Sequence, residues 1–189
     1  MIYVCGDSFA AGDPESKIKP WHEQLTCTNL ARTGATNTQI SQQVDHALEN
    51  ASFIVVLFTT CTRFEYGPND YYTLHNVARS NLTKIQQDIV TEHAKHFFDL
   101  ELEIYKNKCI IESVLQRLVD SEIPFLFDQG GFEHPKFGVS EKYFGKYNAY
   151  RSGYNLWDWG DSKVYRPYFH ITDQNVHNKI ADYYRKQTL

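Results

Sequence analysis

The run Phe53-Ile-Val-Val-Leu-Phe58 constrains this chain more than any other stretch. Six consecutive apolar residues leave no side for water, so the segment reads as a strand buried on both faces. Such a strand needs a covering layer above and below, which points to helices on both sides of a mostly parallel sheet. Met1–Cys5 is a second apolar run, closed by Gly6, and Cys27–Leu30 is a weaker one. Ile123–Phe127 is a further buried strand, whose proline suits only its beginning. Helical spacing of apolar residues covers Thr38–Glu49, with Asn37 or Thr38 as N-cap, then Asn81–Tyr105 and Asn107–Asp120. Thr172 is placed to cap a final helix carrying Val176, Ile180, Ala181 and Tyr184. The expected architecture is a three-layer α/β/α sandwich of the flavodoxin-like kind. With no repeat, low-complexity tract or polar linker, residues 1–189 read as a single domain.

Composition removes several function classes. Hydrophobic residues make up 42% and charged residues 22%, which excludes wholesale disorder. A net charge of −4 argues against a nucleic-acid partner. No apolar run approaches the roughly 20 residues that span a bilayer, so no membrane partner is expected. The opening MIYVCGDSFA has no basic region ahead of its apolar one, unlike a signal peptide. Cys5, Cys27, Cys61 and Cys109 lie in or beside apolar runs without CxxC pairing, and read as buried, reduced thiols. Together these features lead to the expectation of a cytoplasmic protein. Neither GxGxxG nor a phosphate-binding loop occurs, so no nucleotide cofactor is implied. His93 and His96 share a helix face with Glu92 and Asp99 nearby, but lack a third ligand at metal spacing. They read as a solvated face, His22 and His46 read as surface residues, and no metal is expected.

In open parallel sheets, ligands bind beyond the carboxyl ends of the strands. The first such end carries Gly6-Asp7-Ser8-Phe9-Ala10. A glycine permits a sharp turn, and the serine then opens the next helix with its hydroxyl and backbone N–H at the strand edge. Trp21-His22-Glu23-Gln24-Leu25 follows, then Asn29-Leu-Ala-Arg-Thr-Gly34-Ala-Thr-Asn37. Near the other end stands His170-Ile-Thr-Asp-Gln-Asn-Val-His177-Asn-Lys-Ile-Ala181. These blocks, in this order, resemble those of the SGNH (GDSL) hydrolase family. Small SGNH-like chains of this kind also occur in phage and marine metagenomic sequences.

The resemblance implies Ser8 as nucleophile, His170 as base, and the N–H groups of Ser8 and Gly34 as the oxyanion hole. The chemistry is coherent without it: a serine hydroxyl needs a base, and imidazole both accepts and returns a proton near neutrality. Two positions depart from the family pattern. The acid expected three residues before His170 is replaced by Pro167, leaving Asp161, Asp158, Asp173 or a backbone carbonyl to orient the imidazole. Where the family has GxND, Thr59-Thr60-Cys61-Thr62-Arg63 closes the strand, and Asn69 falls well beyond it. Thr60 and Asn69 are therefore further candidates for oxyanion donors. Arg63 is a candidate for contact with an anionic substrate group.

Between Phe132 and Phe169, twelve of 38 residues are aromatic. Interleaved glycines prevent a continuous helix, so the segment reads as a long loop that packs its rings, lines the substrate site, or both. It runs directly into His170, which makes Trp157 and Trp159 candidates for a substrate wall. The expected activity is a serine esterase, without cofactor, acting on a small acyl ester such as an O-acetylated carbohydrate. The alternative is an impaired SGNH-like module that binds a glycan or a protein partner.

Overall fold

The computed structural model describes residues 1–12, 17–65, 71–73, 82–129, 143, 171 and 173–187. Four strands form one parallel sheet in the order β2-β1-β3-β6: β1 Ile2–Gly6, β2 Cys27–Asn29, β3 Phe53–Phe58 and β6 Phe125–Gln129. The apolar run at Phe53–Phe58 occupies an interior position, flanked by β1 and β6. Successive side chains of a strand point to opposite faces, and the core divides accordingly. Cys5, Ile54, Val56, Phe58, Phe125 and Phe127 pack under α2 (Asn37–Leu48) and α4 (Leu100–Asp120). Val4, Val55, Leu57 and Leu126 face the other way, toward α1 (Ser8–Ala11), Trp21 and α5 (Gln174–Gln187). The three-layer α/β/α sandwich is therefore present.

Several boundaries differ from expectation for local reasons. The cap of α2 is Thr36, whose side chain accepts the Gln39 N–H while Gln39 reaches back to the Thr36 N–H. This reciprocal box satisfies two otherwise orphan donors, which neither Asn37 nor Thr38 does. The span Asn81–Tyr105 is not one helix: α3 (Lys84–Phe97) stops and α4 starts at Leu100. Phe98 is extended, and Asp99 accepts the Leu102 N–H as a new N-cap, so the polar cap outweighs the helical periodicity. Strand β6 begins after Pro124, whose carbonyl still accepts the Ile54 N–H. At α5 the turn is capped by Asp173, which accepts the Asn175 N–H at 2.7 Å, while Thr172 lies outside the described residues. A short antiparallel pair, β4 (Arg63–Glu65) with β5 (Tyr71–Thr73), was not expected, since neither run alternates strongly enough to announce a strand.

Two burial expectations are also corrected. His22 is buried, because the 3₁₀ turn Trp21–Gln24 tucks under α5. Cys109 is exposed on the outer side of α4, while Cys5 and Cys61 are buried and all four thiols are free. Burial pushes the Cys5 thiol up to about 12. His93 and His96 lie on α3, which buries none of its residues, as a solvated face requires. Among the described residues no cluster could hold a metal ion, and no helix is long and apolar enough to cross a membrane.

Candidate active site

Gly6 closes β1 at a point where nothing larger fits. A Cβ there would lie 2.9 Å from the Ala10 Cβ and 3.0 Å from the Leu57 carbonyl oxygen. Gln43 of α2 holds its backbone from both sides, accepting the Gly6 N–H at 2.6 Å and donating to the Gly6 carbonyl at 3.2 Å. The chain then turns through Asp7, which caps α1 by accepting the Phe9 N–H at 3.0 Å. Ser8 follows as the first residue of α1, 5% exposed, at the carboxyl edge of the sheet. Asp7 is itself fully buried, and its second oxygen accepts from the Thr59 hydroxyl at 2.7 Å and lies 3.1 Å from Arg63 Nη1. A buried carboxylate is tolerated only when paired and hydrogen-bonded in this way.

The loop after β2 is tied to the same edge. Leu30 and Arg32 donate to the carbonyls of Val4 and Gly6 at 2.8 and 3.1 Å. Asn29 donates to the Ala10 carbonyl at 3.0 Å and accepts the Ala31 N–H, joining this loop to α1. Gly34 turns the chain at φ +78°, a conformation that favours glycine, while Ala35 donates back to Arg32. Arg63 Nη1, besides pairing with Asp7, donates to the Ala35 carbonyl at 2.8 Å. One guanidinium nitrogen therefore joins the Ser8 turn to the Gly34 turn.

At the end of β3 the backbone of Thr59 is gripped by Asn37, which accepts its N–H at 2.8 Å and donates to its carbonyl at 3.0 Å. Asn37 also donates to Asn107 of α4 at 2.7 Å, so a chain of amides fixes this strand end. Thr60 shares a 2.9 Å hydroxyl contact with Thr62 and accepts the Thr62 N–H.

No family model and no curated sequence matches this chain. Among solved structures it is similar to the psychrotrophic esterase EstA from Pseudoalteromonas sp., inhibited by monoethylphosphonate. The identity is 12%, over 99% of this chain and 95% of that one, with a TM-score of 0.54. It is also similar to AlinE4, an SGNH-hydrolase family esterase, at 15% identity over 99% and 94% of the two chains, with a TM-score of 0.49. The fold is shared with that of EstA.

In this fold the segment around α5 packs as its apolar residues require. Ile171 is buried with Trp21, Val176 and Ile180. His177 links three elements: its Nδ1 accepts the Trp21 N–H at 3.2 Å, and its Nε2 lies 3.1 Å from the Ile171 carbonyl. Those partners assign the neutral Nε2–H tautomer. Burial lowers the pKa of His177, against a weaker upward pull from the Ile171 carbonyl and Asp173. Burial likewise lowers that of His22. Trp21 donates its indole N–H to the Phe9 carbonyl at 2.9 Å and stacks on Tyr184.

The structure thus brings Ser8, Gly34, Thr60 and Arg63 to one edge of the sheet. Arg63, expected on a substrate wall, is buried, with a side chain 4% exposed, and acts as a clamp between two turns. Asp173 is committed on one oxygen to the α5 cap. His170, Asn69, Trp157, Trp159, Asp161 and Asp158 lie outside the described residues. Within the aromatic segment Tyr143 is described: it is buried against the α4 side, with its hydroxyl donating to Gln116 at 3.1 Å. The sequence reading missed the amides Gln43 and Asn37. Their signal was present, as polar residues beside Ile40 and Val44 on the inward face of an otherwise amphipathic helix.

Proposed function

We propose that this chain is a serine esterase of SGNH type that hydrolyses a small acyl ester, with an O-acetylated carbohydrate as the favoured substrate class. The observation that carries the reading is the placement of Ser8 and the Gly34 turn on one strand edge, cross-braced by Asp7, Arg63 and Asn29. EstA, whose fold it shares, is an esterase. A groove of about 730 Å³ runs between Ala11–Gly12 and Ala31–Thr33, the residues that adjoin the Ser8 helix and Gly34 in sequence.

In the proposed mechanism the Ser8 hydroxyl attacks the ester carbonyl carbon while His170 takes its proton. The negative charge that develops on the carbonyl oxygen is met by the backbone N–H groups of Ser8 and Gly34, with Thr60 or Asn69 as an added donor. Collapse breaks the bond to the alkoxide, which leaves with the proton from His170. Water then repeats the sequence on the acyl-serine and releases the acid. Asp161 or Asp173 would orient the imidazole. No cofactor enters these steps, and the aromatic rings of Trp157 and Trp159 would supply a flat wall for a sugar.

A fluorophosphonate tests the assembly as a whole, because its reaction needs nucleophile, base and oxyanion hole together. Mass spectrometry should find the adduct on Ser8, and both Ser8→Ala and His170→Ala should abolish labelling and short-chain ester turnover. A wild type that neither labels nor turns over any short ester above the Ser8→Ala background rejects the esterase. The binding-module reading would then be tested on glycan arrays.

A further inference from the structure

The Ser8 and Gly34 turns come from separate loops, so their backbone N–H groups can serve one oxyanion only if the spacing between them is held. Both residues are buried, and among the described residues neither N–H has an acceptor. The spacing must then come from their neighbours. Before Gly34, the Arg32 N–H donates to the Gly6 carbonyl at 3.1 Å, and Asn29 reaches the Ala10 carbonyl at 3.0 Å. After Gly34, the Ala35 carbonyl accepts from Arg63 Nη1 at 2.8 Å, and that same nitrogen lies 3.1 Å from Asp7 Oδ2.

Asp7 immediately precedes Ser8. Its Oδ1 accepts the Phe9 N–H at 3.0 Å and its Oδ2 the Thr59 hydroxyl at 2.7 Å, which fixes the carboxylate to α1 and to the end of β3. Arg63 therefore pins the far side of the Gly34 turn to the residue next to Ser8. Stability alone does not account for a guanidinium in this place. Its side chain is 4% exposed and that of Asp7 0%, and such a buried ion pair gains little over apolar side chains of the same volume. Apolar side chains cannot bridge two acceptors in a set direction, whereas the planar, permanently charged guanidinium can.

Resting on the serine-esterase reading, we infer that Arg63 is a positioning residue for ester hydrolysis, whose bridge from Asp7 to Ala35 sets the separation of the Ser8 and Gly34 N–H groups. It acts through these two turns and exchanges no proton. Its effect is felt when negative charge develops on the ester oxygen, because only then must both N–H groups meet one atom at hydrogen-bond distance. Substrate binding, which precedes that charge, depends on it little.

The test compares Arg63→Gln, the double variant Asp7→Asn/Arg63→Gln and Arg63→Lys in the full chain, each checked for folding by circular dichroism and assayed below its melting transition. In Arg63→Gln, kcat and the rate of Ser8 labelling by a fluorophosphonate should fall about 10²-fold with KM little changed, as expected when an oxyanion donor is misplaced. Should Arg63→Gln not fold because Asp7 is left unpaired, the double variant, which removes both charges, reads the same quantity. Should that fail as well, Arg63→Lys keeps a charge beside Asp7 without the fork and reads a smaller loss of the same kind. A brace that only stabilises would lower the melting temperature and leave kcat of the folded protein unchanged, and that result overturns the assignment. A second readout needs no turnover: in Arg63→Lys the backbone amide resonances of both Ser8 and Gly34 should move, and a change confined to one turn overturns the bridge. A wild type that neither labels nor turns over an ester, while both amides still move in Arg63→Lys, rejects the esterase and keeps the bridge between the turns.

Discussion

The two faces of the sheet bury polar groups near the same edge, and the groups differ in kind. Helices α2 and α4 themselves contribute amides: Gln43 on Gly6, Asn37 on Thr59, and Asn107 on Asn37. The opposite face contributes groups that titrate: His177 of α5 and His22 beneath it. An amide carries both a donor and an acceptor and keeps them at every ordinary pH, so it can grip a backbone N–H and C=O permanently. A histidine or carboxylate can change its donors and acceptors, which makes it a poorer brace but a means of moving or sensing a proton. One face therefore holds the Ser8 turn still, and the other carries groups whose bonding changes with pH.

Asn37→Leu should give the largest effect that tests this division. It strips the partners from the Thr59 N–H and C=O and from Asn107, all buried, and an abandoned buried polar group costs about 1–3 kcal/mol. Urea unfolding should show a loss of about 3 kcal/mol, the same at pH 8 and at pH 5.5. A loss under about 1 kcal/mol, or one that varies with pH, breaks the distinction between the faces.

The same contrast explains how much could be read from sequence. The layer order followed from Phe53–Phe58, because an unbroken apolar run has one physical solution in a chain of this size. The Ser8 turn was legible because Gly6 and Ser8 are adjacent in sequence and the turn is a local event. The braces were not. Arg63 meets Asp7 and Ala35, and Gln43 meets Gly6, across separations of 28 to 56 residues that no local pattern encodes. Arg63 reads in the sequence as a contact for an anionic substrate group, and only the fold shows the buried carboxylate of Asp7 that holds it in. His22 was misread for the same reason: its burial depends on α5, which packs over it from the far end of the chain.

On the α5 face the prediction is one of pH. Burial lowers the pKa of both His22 and His177, so these rings stay neutral in the fold at pH values where the unfolded chain is protonated. Below the ordinary histidine pKa of about 6.5, the unfolded state therefore binds more protons, and stability falls as pH falls. At His177 protonation would also cost a bond, since a protonated Nδ1 can no longer accept the Trp21 N–H. The melting temperature should drop between pH 7 and pH 5, and His177→Gln should flatten that slope while leaving the share that belongs to His22. A slope unchanged in His177→Gln would mean that the titrating brace lies elsewhere.

The smallest effect sharpens the comparison from the amide side. Thr36→Ala removes the hydroxyl that accepts the Gln39 N–H and, with it, the reciprocal bond from Gln39 to the Thr36 N–H. Loss of such a cap costs about 1 kcal/mol, and no group in it titrates near neutrality, so the cost should be equal at pH 5.5 and pH 8. The next residue is Asn37, whose grip on Thr59 depends on the first turn of α2 holding its place. Hydrogen exchange should therefore quicken at the Thr59 and Gly6 amides, which α2 side chains hold, and stay unchanged at the Trp21 amide, which His177 holds from the opposite face. Quickening at Trp21 as well would show that the two faces loosen together, and that the sheet transmits what the amides were expected to contain.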